Sequence, residues 1–509
     1  MASTTLPRVA ATRSPGASGT TRYCWVVMGA FMGAFAAYRI WEALAGPALI
    51  WQDTKFYESV GTMSILSGGF WAGHFPPLVP LLWKLTGTQT SFVLAQTVIA
   101  VIAWSTTAGV IATRVRQAWA QVLATALVLA LASSQYVTQW DRSILSETTT
   151  LAFVALFVAT LVGFASKPGR AWFGAVVVSA IGMAFSRDSN TVTVGIVAVG
   201  LLVVAGVVSR RRSPRRLQAL GAALLTVAIL AEGLAAAAGR DGTYTLDDLY
   251  VRVFPYPARD AFFAAHGMPD VGLVEALAAR TKTPPGAAPV VAPTDTAATA
   301  PLFAWIDAGH ATTTYALWLL THPVFLVSAP FQSPQEAFNY ANGDLGFYAA
   351  SGSPTTPVLT TSLYRWWATT AMAALALCLA LARRRGLWRS REWQVPGALA
   401  LIGLLAMLIA WQAEGQEVTR HMLEGSVQLR LAVLALLAFG IGDLRRAGSA
   451  VHGQDRRRGS RTTGRLGTGD GDASKDNSRQ DGHAGNDEGH ETKSPVSSDA
   501  FYRHSISSE

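Results

Sequence analysis

Apolar runs of roughly 17–22 residues recur along the chain, each long enough to cross about 30 Å of hydrocarbon as a helix. Stretches such as 122–132, 192–208 and 431–441 are rich in Leu, Val, Ala and Gly and carry no charge. The pattern predicts an all-α polytopic membrane protein of about ten transmembrane helices, at about 24–45, 91–112, 118–134, 148–165, 171–186, 190–208, 217–238, 364–382, 395–411 and 426–442. Two apolar segments do not fit that count. The run 78–85 is too short to span and reads as re-entrant or interfacial. The run 315–331 is broken by "THP" and Pro330, and is expected to lie along the outer surface.

Basic residues set the orientation. They cluster as Arg8, Arg13 and Arg22; Arg114 and Arg116; Lys167 and Arg170; "SRRRSPRR" at 209–216; "RRRGLWRSR" at 383–391; and Arg445 with Arg446. With ten spans, all of these fall on one face of the membrane, which the positive-inside rule makes the cytoplasmic one. The expected protein is multi-pass in the plasma membrane, with both termini cytoplasmic. The first apolar run could be a signal peptide, but no small-residue cleavage site follows it, so a retained helix is expected.

The expected organisation is a disordered cytoplasmic N-terminus (1–22), a transmembrane module with the first outer loop (23–238), an extracytoplasmic subdomain with the interfacial segment (239–363), C-terminal helices (364–445) and a disordered tail (446–509). The subdomain contains a Pro/Ala/Thr-rich stretch at 283–301, read as a flexible insertion, and the tail is rich in Gly, Ser, Asp and Arg.

Composition agrees. Half of the 509 residues are hydrophobic and 14% are charged, well below a soluble domain. The net charge of +9 resides in the inter-span clusters, so no nucleic-acid partner is expected. Cys24 and Cys378 make neither a disulfide framework nor a metal site.

The remaining charges gather at the opposite ends of the spans. One outer loop, 51–87, carries Asp53, Lys55 and Tyr57. "QYVTQWDRSILSETTT" carries Asp141, Arg142 and Glu147; "SRDSN" carries Arg187 and Asp188; the last loop carries Glu414, Glu417, Arg420, His421 and Arg430. Charge at lipid depth is costly and normally faces a cavity or another charge. Each group also has a purely structural reading. Asp53 could cap a helix; Glu147 could be a first-turn acid; Arg187 and Asp188 could pair as neighbours. Arg420 and His421 could be interfacial anchors. The aromatics Trp51, Phe56, Tyr57, Trp71, Phe75 and Trp140 read as an interface belt, Asp247–Asp248 as an exposed loop pair, and His322 as a loop histidine.

Several segments resemble the GT-C superfamily of integral membrane glycosyltransferases, notably its actinobacterial branch: "WQDTKFY", "GFWAGHFPPLVPLLWKL", "SILSETTTLAFVALF", "THPVFLV" and "EVTRHMLEGSVQLRLAVLALL". The likeness covers roughly residues 24–445. It implies a transferase that moves a sugar from a polyprenyl-phosphate donor to an extracytoplasmic glycan, lipid or protein acceptor. Asp53 matches the acid of the first outer loop and would be the catalytic base. Substrate-binding roles fall to Glu147, Arg187, Arg420, His421, Lys55, Tyr57 and Arg142, with the guanidinium groups holding the lipid phosphate. Asp53 is followed by Thr54 and Lys55, where many members carry a paired acid, so no cofactor is assigned and a divalent cation is left open. The alternatives are a transporter or flippase, a non-catalytic assembly partner, or a ligase of preassembled glycans.

Overall fold

The structure is a computed structural model. The structure describes residues 17–208, 215–240, 249–254, 256–269, 296–332, 363, 365–382, 391–413 and 418–442. The tail expected at 446–509, the Asp247–Asp248 pair, and Glu414 and Glu417 lie outside the described residues.

The described residues are helical, apart from turns and one isolated bridge between Leu49 and Ser143. The first part runs α1 (Ala17–Leu44), α2 (Gln52–Thr62), α3 (Gly68–Trp71), α4 (Leu78–Thr86), α5 (Gln89–Arg114), α6 (Ala118–Ala132), α7 (Gln135–Thr138), α8 (Glu147–Ser166), α9 (Arg170–Ser186), α10 (Ser189–Val208) and α11 (Arg215–Ala237). A single π turn follows, α12 (Leu249–Val253), then α13 (Pro257–Ala265), α14 (Thr296–Asp307), α15 (His310–Thr321) and α16 (Pro323–Gln332). Last come α17 (Trp366–Ala382), α18 (Arg391–Ala413), α19 (Val418–His421) and α20 (Leu423–Gly442).

Every one of the ten expected spans coincides with a helix. Among the described residues, seven of these helices are long and apolar enough to cross a membrane, or eight spans result if a bent pair counts as one. α6, α9 and α17 are shorter, with 15, 17 and 17 residues. The segment expected to lie on the surface is the bent pair: α15 and α16 meet at 90°, where His322 and Pro323 interrupt the helix. α1 begins at Ala17, so residues 17–22 are helical rather than part of an unstructured N-terminus. Residues 296–301 likewise open α14 instead of extending the Pro/Ala/Thr-rich insertion.

α8 and α20 form the centre, with 83% and 89% of their apolar windows buried, against 22% for α1. The outer face of α1 exposes Tyr23, Trp25, Val26 and Phe31, side chains suited to lipid. Helices that share this core approach closely where side chains vanish. A Cβ on Gly425 would come within 2.9 Å of the Gly403 carbonyl, and one on Gly403 within 3.0 Å of the Gly425 carbonyl, so α18 and α20 touch backbone to backbone. α12 to α15 share a second core of Leu249, Val253, Phe263, Trp305, Tyr315 and Trp318. Arg259 lies between the rings of Tyr256 and Phe325, and burial lowers its pKa.

Candidate functional site

The site is built on the chain that enters α8. That helix begins with Glu147, and the residues before it are tied down from several sides. Arg39 of α1 grips the Asp141 carboxylate through two nitrogens, each at 2.5 Å, and donates to the Ala132 carbonyl at 2.9 Å. Gln96 of α5 donates to the Asp141 and Ser143 carbonyls, both at 2.8 Å. Thr54 of α2 donates to the Ile144 carbonyl at 3.0 Å. Thr54 also accepts from the Trp51 N–H at 3.0 Å, which starts α2 and carries Asp53 into its first turn beside the Glu147 segment. The sequence gives no pairing for Arg39. Its signal is the guanidinium itself, standing inside an apolar run.

Glu147 is fully buried, and its Oε1 accepts from Arg420 Nε. Arg420 Nη2 lies 3.5 Å from an Asp53 oxygen. On the other side, Arg187 Nη1 stands 3.6 Å from Glu147 Oε1 and donates to Glu424 Oε1 at 2.5 Å. Arg187 Nη2 donates to His421 Nδ1 at 3.0 Å. A guanidinium cannot accept, so Nδ1 is the acceptor and the ring proton sits on Nε2. Burial disfavours the charged form of Arg187, yet Glu424 and Glu147 outweigh it and raise its pKa above the ordinary value. The result is an alternating row, Asp53–Arg420–Glu147–Arg187–Glu424, delivered by α2, α19, α8, the α9–α10 turn and α20.

Tyr57, one helical turn after Asp53, is buried against this row, and its ring meets that of Phe75 at a tilt, with centroids 4.7 Å apart. Burial, with Asp53 and Glu147 nearby, pushes its phenol well above the ordinary range. Tyr57 and Trp140 are interior residues, not members of an interface belt, whereas Phe56 and Trp71 remain exposed. Two other candidates lie elsewhere: Lys55 is exposed on α2, and Arg142 packs over Gly46.

Arg187 and Asp188 do not pair with each other. Asp188 takes two bonds from Arg240, at 2.8 and 3.0 Å, and Arg240 also donates to the Gly73 carbonyl at 2.8 Å. Adjacent residues in an extended turn point apart, so each finds a partner from a distant element. Glu424 was also not singled out by the sequence reading. Its signal is position, since it follows Arg420 by one helical turn in "TRHMLEG". His322 stacks on Trp318 at 3.4 Å, away from this row.

Beside the Arg187 end lies a cavity of about 320 Å³. Charged and polar groups of Arg187, Asp188, Arg240, His421 and Glu424 line it together with apolar side chains such as Met183, Val192 and Ile409. Two buried carboxylate oxygens, Glu147 Oε2 and Glu424 Oε2, have no hydrogen-bond partner among the described groups. No group of three or more His, Cys, Asp or Glu residues among the described residues could hold a metal ion. Compared with protein-family models and with curated proteins, the chain matches none.

Proposed function

We propose that this chain is a membrane glycosyltransferase of the GT-C type, moving a sugar from a polyprenyl-phosphate donor to an extracytoplasmic glycan, lipid or protein acceptor. The observation that carries the reading is the convergence of Asp53, Glu147, Arg187, Arg420, His421 and Glu424 in one buried row, whose Arg187, His421 and Glu424 end opens on a cavity lined by both charged and apolar side chains. A lipid-borne sugar phosphate presents the matching features: an anionic group, hydroxyls that donate to buried carboxylate oxygens, and an apolar chain.

In this reading Arg420 and Arg187 hold the phosphate. Asp53, with its side chain 25% exposed at the edge of the row, accepts the proton of the acceptor hydroxyl. The acceptor oxygen bonds to the sugar carbon, the bond from that carbon to the phosphate oxygen breaks, and its electron pair leaves with the phosphate. A phosphate is a stable anion, so the leaving group needs cationic contacts rather than a strong acid. Direct attack inverts the sugar carbon. Under the ten-span arrangement, α6, α9 and α17 cross the membrane as well, the basic clusters face the cytoplasm, and Asp53 faces outward.

A transporter or flippase is the second reading. It is favoured by the 90° break between α15 and α16, because broken helices are common in transport proteins. Mass spectrometry of glycolipids and wall glycans separates the two in a strain lacking the chain, complemented with the native protein or with Asp53→Asn. The enzyme reading predicts one missing glycosidic linkage that only the native protein restores. Restoration by Asp53→Asn at normal expression contradicts the role given to Asp53.

A further inference from the structure

Resting on that reading, we infer that Asp53 is the displaceable counter-ion of an anion seat on Arg420. A phosphate headgroup takes the place of the Asp53 carboxylate on this guanidinium, and the carboxylate so released is the one that serves as base.

The row holds three carboxylates and two guanidinium groups, with a carboxylate at each end. Another anion can enter only by lifting one carboxylate from its arginine, because like charges packed in a desolvated site repel strongly. The three carboxylates are not equally held. Glu147 is completely buried and touches both arginines. Glu424 is 6% exposed and bonded to Arg187 at 2.5 Å. Asp53 is 25% exposed and 3.5 Å from Arg420. Its contact to Arg420 is longer than the shortest ion pairs of Glu147 and Glu424, and its side chain has the best access to water, so it yields first.

The geometry of Arg420 agrees. Its Nε edge is committed to Glu147, which fixes the plane of the fork, while Nη2 points to Asp53. Vacating that position offers a planar, charged N–H group to a phosphate oxygen without disturbing the Glu147 pair. A carboxylate that leaves a cation holds protons more tightly and is the stronger base. The contact occupies the Asp53 carboxylate until the headgroup is seated, and imposes an order in which the phosphate arrives before the acceptor hydroxyl is deprotonated.

The test is calorimetric binding of farnesyl phosphate to the purified full-length protein in detergent, with inorganic phosphate alongside. Asp53→Asn removes the competing charge and should bind farnesyl phosphate about tenfold more tightly than the native protein, while Asp307→Asn, at an exposed carboxylate of α14 outside the row, stays within about twofold. Arg420→Gln should lose binding. If inorganic phosphate tightens equally, the seat reads the bare anion; if only farnesyl phosphate binds measurably, it reads a lipid headgroup. Unchanged or weaker binding by Asp53→Asn overturns the proposal, as does tightening by Asp307→Asn alone or no binding to either protein. Loss of sugar transfer in Asp53→Asn with unchanged affinity would refute the gate and leave the transferase reading standing. Tighter binding by Asp53→Asn, alongside a native protein that makes no glycosidic bond, would do the reverse.

Discussion

Replacing Glu147 with alanine removes the one carboxylate shared by two buried guanidinium groups. Arg420 bonds to it directly and Arg187 lies 3.6 Å away, with side-chain exposures of 9% and 10%. After the change, Arg420 retains the looser contact to Asp53, Arg187 retains Glu424, and the two cations face each other across the vacated space. Removing one partner from a buried ion pair costs about 3–5 kcal/mol, because the remaining charge stays desolvated. Glutamine keeps an oxygen to accept from Arg420 Nε, so Glu147→Gln should cost about 2 kcal/mol. Adding Arg420→Gln to Glu147→Gln should cost less than Arg420→Gln alone, with a coupling of about 1–3 kcal/mol. Equilibrium SDS titration of the purified protein in mixed micelles, followed by circular dichroism, measures each value. A Glu147→Ala protein within about 0.5 kcal/mol of native would refute the reasoning, since a change of that size is typical of an unimportant surface site.

Three further outcomes follow from the same structure. Arg39→Met should destabilise the protein by about 3 kcal/mol because it leaves Asp141 buried and unpaired, and Arg39→Met with Asp141→Leu should recover most of that loss in the same titration. Ser64 is exposed in the 51–87 loop, so Ser64→Cys in a Cys378→Ser background should react with a membrane-impermeant maleimide on intact cells; reaction only after permeabilisation places that loop in the cytosol. Tyr57 has a folded pKa above its unfolded value, so its phenol is protonated in both states below about pH 10 and contributes no pH-dependent stability there. Tyr57→Phe should leave the shape of an activity–pH profile between roughly pH 6 and 10 unchanged; a lost limb would contradict its assigned protonation state.

Much of the fold was legible because lipid makes backbone rules strict. Runs such as 192–208 have no structural option at that depth but a helix, and α10 occupies Ser189–Val208. The bent pair was harder to read. The interruption at "THP" was visible, but nothing in the sequence states that α15 and α16 meet at 90°. In the site, Asp53, Glu147, Arg187, Arg420 and His421 were found because charges at span ends must meet something. Their partners were less accessible, since pairing depends on which helices touch. Neighbour logic joined Arg187 to Asp188, while packing gave Arg187 to Glu424 and Asp188 to Arg240. Arg39 and Asp141 are separated by 102 positions, and only the contact of α1 with the segment before α8 brings them together. Lys55 and Arg142 share loops with Asp53 and Glu147, but sharing a loop does not fix the direction of a side chain.

The central claim is that the row ending in Asp53 supports glycosyl transfer, and the most direct measurement uses purified protein reconstituted in vesicles. Vesicles would be supplied with a radiolabelled short-chain prenyl-phosphate sugar and extracted membrane acceptors, and both glycosidic product and label crossing the bilayer would be followed. The account predicts labelled glycosidic product from the native protein and a loss of roughly a hundredfold or more in Asp53→Asn at equal folding and reconstitution. Label that crosses the vesicle membrane without forming a glycosidic bond, or product made equally well by Asp53→Asn, would contradict it.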